Sequence, residues 1–198
     1  MKRAPVSANE LAFHPLTQDR WPDLEQLFGP NGACGGCWCM WWKLDRKDYG
    51  RGQGAGNKRK LKASVRRGVE PGFIAYRDGS PIGWCAVEPR EKYPVLARSR
   101  ALAPVDQEPV WSVTCLFVKA GHRRRGLSEA LLKHAARFVA ERGGRLLEGY
   151  PRDTRFSGAN AMWTGVARTF VNAGFAEVAR RTPTRPIMRL TLRVAARR

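Results

Sequence analysis

LFVKAGHRRRGLSEALL, residues 116–132, sets three consecutive arginines and a glycine between an apolar run and an apolar-periodic segment. Upstream, PVWSVTCLFV (109–118) reads as a strand buried on both faces. Downstream, Leu127, Leu131, Ala135, Phe138 and Val139 fall on one face of a helix that Gly143-Gly144 should stop. A strand, a glycine turn and a helix N-terminus together make an anion site. The first helical N–H groups lack internal partners, and the helix dipole adds positive charge there. Gly126 lets the backbone approach a ligand with no Cβ in the way. Arg123, Arg124 and Arg125 offer fork-shaped donors suited to phosphate oxygens. The spacing excludes both the G-x-x-x-x-G-K-[ST] loop and the G-x-G-x-x-G dinucleotide fingerprint.

Working outward, GFIAYRD and PIGWCAVEP alternate on either side of Asp78-Gly79-Ser80, which predicts a hairpin. ELAFHPL (10–16) predicts a first strand. DRWPDLEQLF (19–28) predicts a helix with Asp19 as N-cap and Pro22 in its first turn. GRGQGAG (50–56) reads as a flexible loop, and NKRKLKASVRRG (57–68) as a short basic helix opened by Asn57. Residues 90–109 form a polar connection. GRLLEGYP (144–151) is a short strand, WTGVARTFVNAGF (163–175) a helix, and FAEVARR and PIMRLTLRV two closing strands. In the last of these Met188, Leu190, Leu192 and Val194 share a face. The order predicts an α/β mixed sheet flanked by helices, in one domain over 10–198 behind a short N-terminal arm, 1–9.

Arg123-x-x-Gly126-x-Ser128, between LFV and an amphipathic helix, resembles the [RQ]-x-x-G-x-[GA] motif of the GNAT superfamily of N-acetyltransferases. DGSPIGWCAVEP is similar to that family's second and third strands, and TFVNAGFAEV to its closing helix and strand. The likeness spans roughly residues 10–195 and is specific from about 72 onward; CGGCWCMWW resembles a bacterial branch of the superfamily. The resemblance implies a mostly antiparallel central sheet splayed between its fourth and fifth strands. It implies acetyl-CoA as acyl donor and a primary amine as acceptor. Backbone groups of Leu116, Phe117 and Val118 would pair with the pantetheine arm. The N–H groups of Arg123, Arg124, Arg125, Gly126, Leu127 and Ser128, joined by Glu129, would hold the pyrophosphate. A backbone N–H near Val118 would polarise the acetyl carbonyl.

Two positions depart from the family. Ser128 replaces the usual Gly or Ala. Phe170 aligns with the tyrosine that often protonates the leaving thiolate, and Trp163 with an asparagine that often opens that helix. A base and an acid are therefore sought on the fifth strand, where Glu148 and Tyr150, two residues apart, share a face. The alternative role for the pair is an arginine-bound carboxylate and a core tyrosine. Glu88 and Cys115 are weaker candidates.

The remaining signals narrow the partners. The formal charge of +19 favours polyanions and phosphorylated cofactors and disfavours polycationic amines. A catalytically reduced module binding nucleic acid is the second reading, motivated by that charge and by Phe170. Against it, aromatics do not alternate with the basic residues as a stacking platform requires. The run Lys58–Arg67 reads as a solvated helix face. Cys34, Cys37 and Cys39 lack the fourth ligand of a structural zinc site, so no metal is expected. They read as thiols lining the acceptor side of a cleft. Five cysteines, an odd number, fit a reducing compartment. No apolar run reaches the ~18 residues of a membrane span, and MKRAPVSANE has no apolar signal core. A cytoplasmic protein is expected.

Overall fold

GFIAYR and SPIGWCAVEP form β2 (Gly72–Arg77) and β3 (Ser80–Pro89), both buried along almost their whole length because helices cover both faces of the sheet. Asp78 and Gly79 join them, with φ of +50° and +72°, as a two-residue hairpin with primed geometry requires. β1 (Leu11–Pro15) pairs with β2, and β4 (Trp111–Val118) with β3. The computed structural model describes residues 11–153 and 163–193. The predicted arm 1–9, Glu10 and Val194 lie outside them. In the sheet order β1-β2-β3-β4-β5-β7-β6, β5 is Leu146–Gly149, β6 is Ala176–Arg180 and β7 is Pro186–Thr191. Among the described strands only β4 and β5 pair in parallel. This is the splayed, mostly antiparallel sheet that the resemblance implies.

Helices cover both faces. On one side lie α5 (Leu127–Glu141) and α6 (Ala167–Asn172). Leu127, Leu131, Leu132, Phe138 and Val139 of α5 are buried against Phe73, Val87, Val113 and Leu147. Each such side chain contributes roughly 1.5–3 kcal/mol, so packing rather than capping fixes where α5 begins. On the other side lie α1 (Trp21–Phe28) and α3 (Ala55–Arg66), over Ile74, Trp84 and Cys115. The short α2 (Arg46–Arg51) and α4 (Pro94–Ala97) flank the cleft. No helix of the described residues is long and apolar enough to cross a membrane.

Several local expectations change. Arg20, not Asp19, occupies the cap of α1, with no side-chain bond. α3 begins at Ala55, and Asn57 is buried inside it, donating to the carbonyls of Gly36 and Tyr49 at 3.4 Å each. Residues 50–56 therefore belong largely to helical turns, tied down by long-range contacts that local composition does not encode. α6 is shorter than 163–175: Arg152 pairs with Val166, and Gly165 turns the chain at φ +84°. The connection 90–109 is not simply polar, since it buries Tyr93, Leu96 and Leu102.

Candidate active site

β4 carries the first half of the site. Val113 and Leu116 both face α5 although they stand three positions apart, whereas Cys115 faces Trp84 and Met40. Strict alternation forbids this, and the register confirms the irregularity: Ala86 opposes Cys115, and Val87 opposes Val113. Thr114 is thus an extra residue, a β-bulge. β5 pairs only with Trp111, Ser112 and Val113. From Thr114 onward no described strand lies beside β4 on its β5 side. The bulge and the divergence coincide, so the chain bends away where the pairing ends.

That bare edge leads into the arginine turn. Arg124 and Gly126 adopt φ of +59° and +82°, and α5 starts at Leu127. The Arg123 amide donates to the Ala120 carbonyl at 3.4 Å, and the Glu129 amide to the Gly126 carbonyl at 3.0 Å. Between them, the amides of Arg124, Arg125, Gly126, Leu127 and Ser128 have no partner among the described residues. A Cβ built on Gly126 meets nothing within 4 Å, so its environment is open. Arg125 Nε is buried without a partner. Burial, reinforced by Arg125, also lowers the pKa of His122, keeping that ring neutral beside the loop. Arg123 folds back, its Nε donating to the Val118 carbonyl at 3.0 Å. The turn is an open arc of donors with guanidinium groups beside it.

Beside the β4 edge lies an apolar cavity of about 210 Å³, lined by Cys34, Cys37, Cys39, Cys115, Leu116, Phe117 and Trp163 among others. The three N-terminal cysteines do line the cleft with Trp41 and Trp42, whereas Trp38 packs between Trp21 and Phe28 instead. Cys39 accepts from Trp84 Nε1 at 3.1 Å. Contact with Cys115, together with burial, raises its pKa, so it is a neutral thiol at neutral pH.

Trp41, Trp42 and Tyr49 also line a second, larger cavity of about 760 Å³. Its wall carries Arg46, Arg98, Arg152 and Arg185 against one acid, Asp45. Asp45 is committed as the N-cap of α2, accepting from the Asp48 amide at 2.8 Å. Arg185 reaches only the Tyr150 carbonyl, at 3.4 Å, and lies 5.8 Å from the Trp42 ring centroid. Burial, with Arg152 repelling it, pushes the Arg185 pKa down to about 10. Arg152 donates to Thr184 Oγ1 at 3.2 Å. Neither forms an ion pair with any described carboxylate.

Glu148 and Tyr150 do share a face, opposite α5, and the Tyr150 hydroxyl donates to Glu148 Oε2 at 3.0 Å. Both are buried, and their polar atoms are engaged. Arg189 donates to Glu148 Oε1 at 3.0 and 2.7 Å, and Arg90 lies 3.7 Å from Oε2. Tyr150 accepts from Arg90 at 2.6 Å and shares a 2.8 Å bond with Ser112. Burial first, and Glu148 second, raise the Tyr150 pKa. Arg90 continues to the carbonyls of Leu96 and Leu102, two residues of the larger cavity's neighbourhood. Glu88, the weaker candidate, is closed in an ion pair with Lys43.

The profile of the acetyltransferase (GNAT) family matches residues 38–155, more than half of the chain. The chain belongs to the acetyltransferase (GNAT) family. Solved GNAT structures share its fold. The PaiA N-acetyltransferase of Thermoplasma acidophilum, in complex with coenzyme A, is 13% identical and superposes at a TM-score of 0.54, over 91% of this chain and 98% of that one. The polyamine N-acetyltransferase of Drosophila melanogaster is 13% identical at 0.57, over 92% and 100%. YncA of Salmonella typhimurium, with acetyl-CoA, is 14% identical at 0.54, over 96% and 98%. At these identities the likeness concerns the fold. No curated protein matches the sequence.

In this GNAT chain Phe170 is buried in the core, 5.1 Å from Phe175, and its ring fills the space above Gly149 and Gly165. The basic run of α3 is a solvated face, as expected: Lys58 lies 3.0 Å and Lys62 3.8 Å from Glu25, and Lys60 3.9 Å from Asp48. Sequence reading missed Arg152 and Arg185. They stand 33 positions apart and meet only because β7 lies beside β5. Their one sequence signal is that each adjoins a proline, in Pro151-Arg152 and Arg185-Pro186, at strand ends.

Proposed function

We propose that this acetyltransferase moves the acetyl group of acetyl-CoA to a primary amine by direct attack in a ternary complex. The carrying observation is the bare edge of β4 running straight into five partnerless amides at the mouth of α5. The pantetheine arm adds to Leu116–Val118 as a strand would. The diphosphate accepts from the amides of Arg124 through Ser128, with Arg125 and its neighbours supplying charge-assisted bonds. The thioester then lies beside the Cys115–Phe117 cavity, its carbonyl near the Val118 N–H. The amine nitrogen attacks the carbonyl carbon, the C–N bond forms and the C–S bond breaks. The amine gives up one proton to water in the open cavity, and the thiolate of coenzyme A takes one.

Glu148 and Tyr150 hold a positioning role in this scheme. The buried Glu148 carboxylate accepts two hydrogen bonds from Arg189 and one from Tyr150, with Arg90 3.7 Å away, so its oxygens are committed to the network and not presented to an amine. Through Arg90 the pair fixes the 94–102 wall of the larger cavity.

Calorimetry with acetyl-CoA tests the reading. The wild type should bind. Gly126→Val should lose at least about tenfold, since a β-branched residue at φ +82° bears roughly 1–3 kcal/mol of strain and fills the diphosphate's place. No binding, or binding indifferent to this substitution, ends the proposal.

A further inference from the structure

Arg152 and Arg185 pose a physical problem that the transfer reaction alone does not resolve. Arg152 and Arg185, both half-buried and neither ion-paired with a described carboxylate, line a cavity whose one acid, the exposed Asp45, caps α2. Half-buried like charges held side by side without an ion-pair partner are unfavourable, and an anionic ligand would complete the pair. A second observation points the same way. Arg152 Nε and Trp42 Nε1 are both buried donors with no acceptor, and both residues line this cavity. Two kinds of donor, a guanidinium pair that includes the orphaned Nε–H of Arg152 and the indole N–H of Trp42, therefore belong to the wall of one cavity. The shape adds orientation. Trp41, Trp42 and Tyr49 form a wall common to this cavity and to the one beside Cys115–Phe117.

We infer that the larger cavity is the acceptor's anion pocket, and that the acceptor is a small amine bearing a carboxylate or phosphate group. The anionic end sits on Arg152 and Arg185 and accepts from Trp42. The body lies along the aromatic wall, and the amine reaches past it toward the edge of β4. Arg46 and Arg98, exposed on the cavity's outer wall, add attraction without fixed geometry. A polycationic amine is excluded, because it would bring more positive charge to four arginines. This substrate class rests on the transferase reading for its amine, but the anion pocket stands on its own geometry.

The test is calorimetry on the full chain with matched ligands: phenylalanine against phenethylamine, O-phosphoethanolamine against ethanolamine, and spermidine. The expected result is saturable binding of at least one anionic amine, with its neutral partner and spermidine weaker by about tenfold or more. Arg185→Gln and Arg152→Gln should each erase most of that preference. Acetyl-CoA binding, measured on the same samples, reports that the variants are folded. Stronger binding by anionic carboxylates selects the carboxylate class, and stronger binding by O-phosphoethanolamine the phosphate class. Equal binding of charged and neutral partners, preference for spermidine, no binding of any anionic amine, or a preference unchanged in Arg185→Gln overturns the inference. Loss of acetyl-CoA binding in the wild type would instead sink the transferase reading and leave the anion pocket standing.

Discussion

The turn at 123–128 and the cavity around Arg152 and Arg185 both present donors to an absent anion, yet they are built on opposite plans. The turn uses backbone amides from consecutive residues, is exposed, and takes its shape from one glycine and one left-handed arginine. The cavity uses side chains drawn from four distant segments (41–49, 95–102, 152 and 182–185) and is held by a buried ion network. A contiguous backbone site tolerates most side-chain changes. An assembled site depends on every wall that brings its parts together.

The largest expected effect tests that dependence. Glu148→Ala leaves Arg189 and Arg90 short of a buried counter-charge and should cost about 3 kcal/mol in denaturant unfolding. A loss below about 1 kcal/mol would mean the network does not hold the cavity wall. Arg185→Gln should move the other way. Removing a guanidinium that lacks a carboxylate should raise stability by about 1 kcal/mol, even as the pocket loses its anion preference. A destabilised variant would show that Arg185 is already compensated. Salt separates the two regions more gently. Raising ionic strength from about 0.05 to about 0.5 M should weaken acetyl-CoA binding several-fold, and binding to the more enclosed Arg185 less. Equal salt dependence would erase the contrast.

A pH-dependent effect concerns the helix behind the turn. His134 of α5 stacks on Phe13 at 4.3 Å, and burial, with Arg137 adding, lowers its pKa to about 4. Between its unfolded value near 6.5 and about 4 the unfolded chain binds the extra proton, so stability falls as pH falls through that window. His134→Phe should flatten that limb of the melting profile, which a pH series of thermal melts would show.

What the sequence revealed follows the same division. The turn, its glycine and the helix beyond it were legible because each signal is local: an apolar run, a φ-permissive residue, a 3.6-residue period. The hairpin at Asp78-Gly79 was legible for the same reason. Asn57 misled because its acceptors, Gly36 and Tyr49, come from a different part of the chain. Glu148 and Tyr150 were placed on a shared face by their spacing, but Arg90, Arg189 and Ser112, which use up their hydrogen bonds, are invisible to any local rule. The arginine pocket was illegible outright, since only the strand order β5-β7 makes neighbours of Arg152 and Arg185.

Thr114 carries a consequence for how this chain can change. Because β4 holds one residue more than its partner there, everything beyond it is offset by half a pleat. Deleting that single position would restore plain alternation and leave Cys115, Leu116 and Phe117 on their present faces, but it would remove the bend that turns the strand away from β5. The strand can vary in what it is made of, but its parting from β5 coincides with that one extra residue.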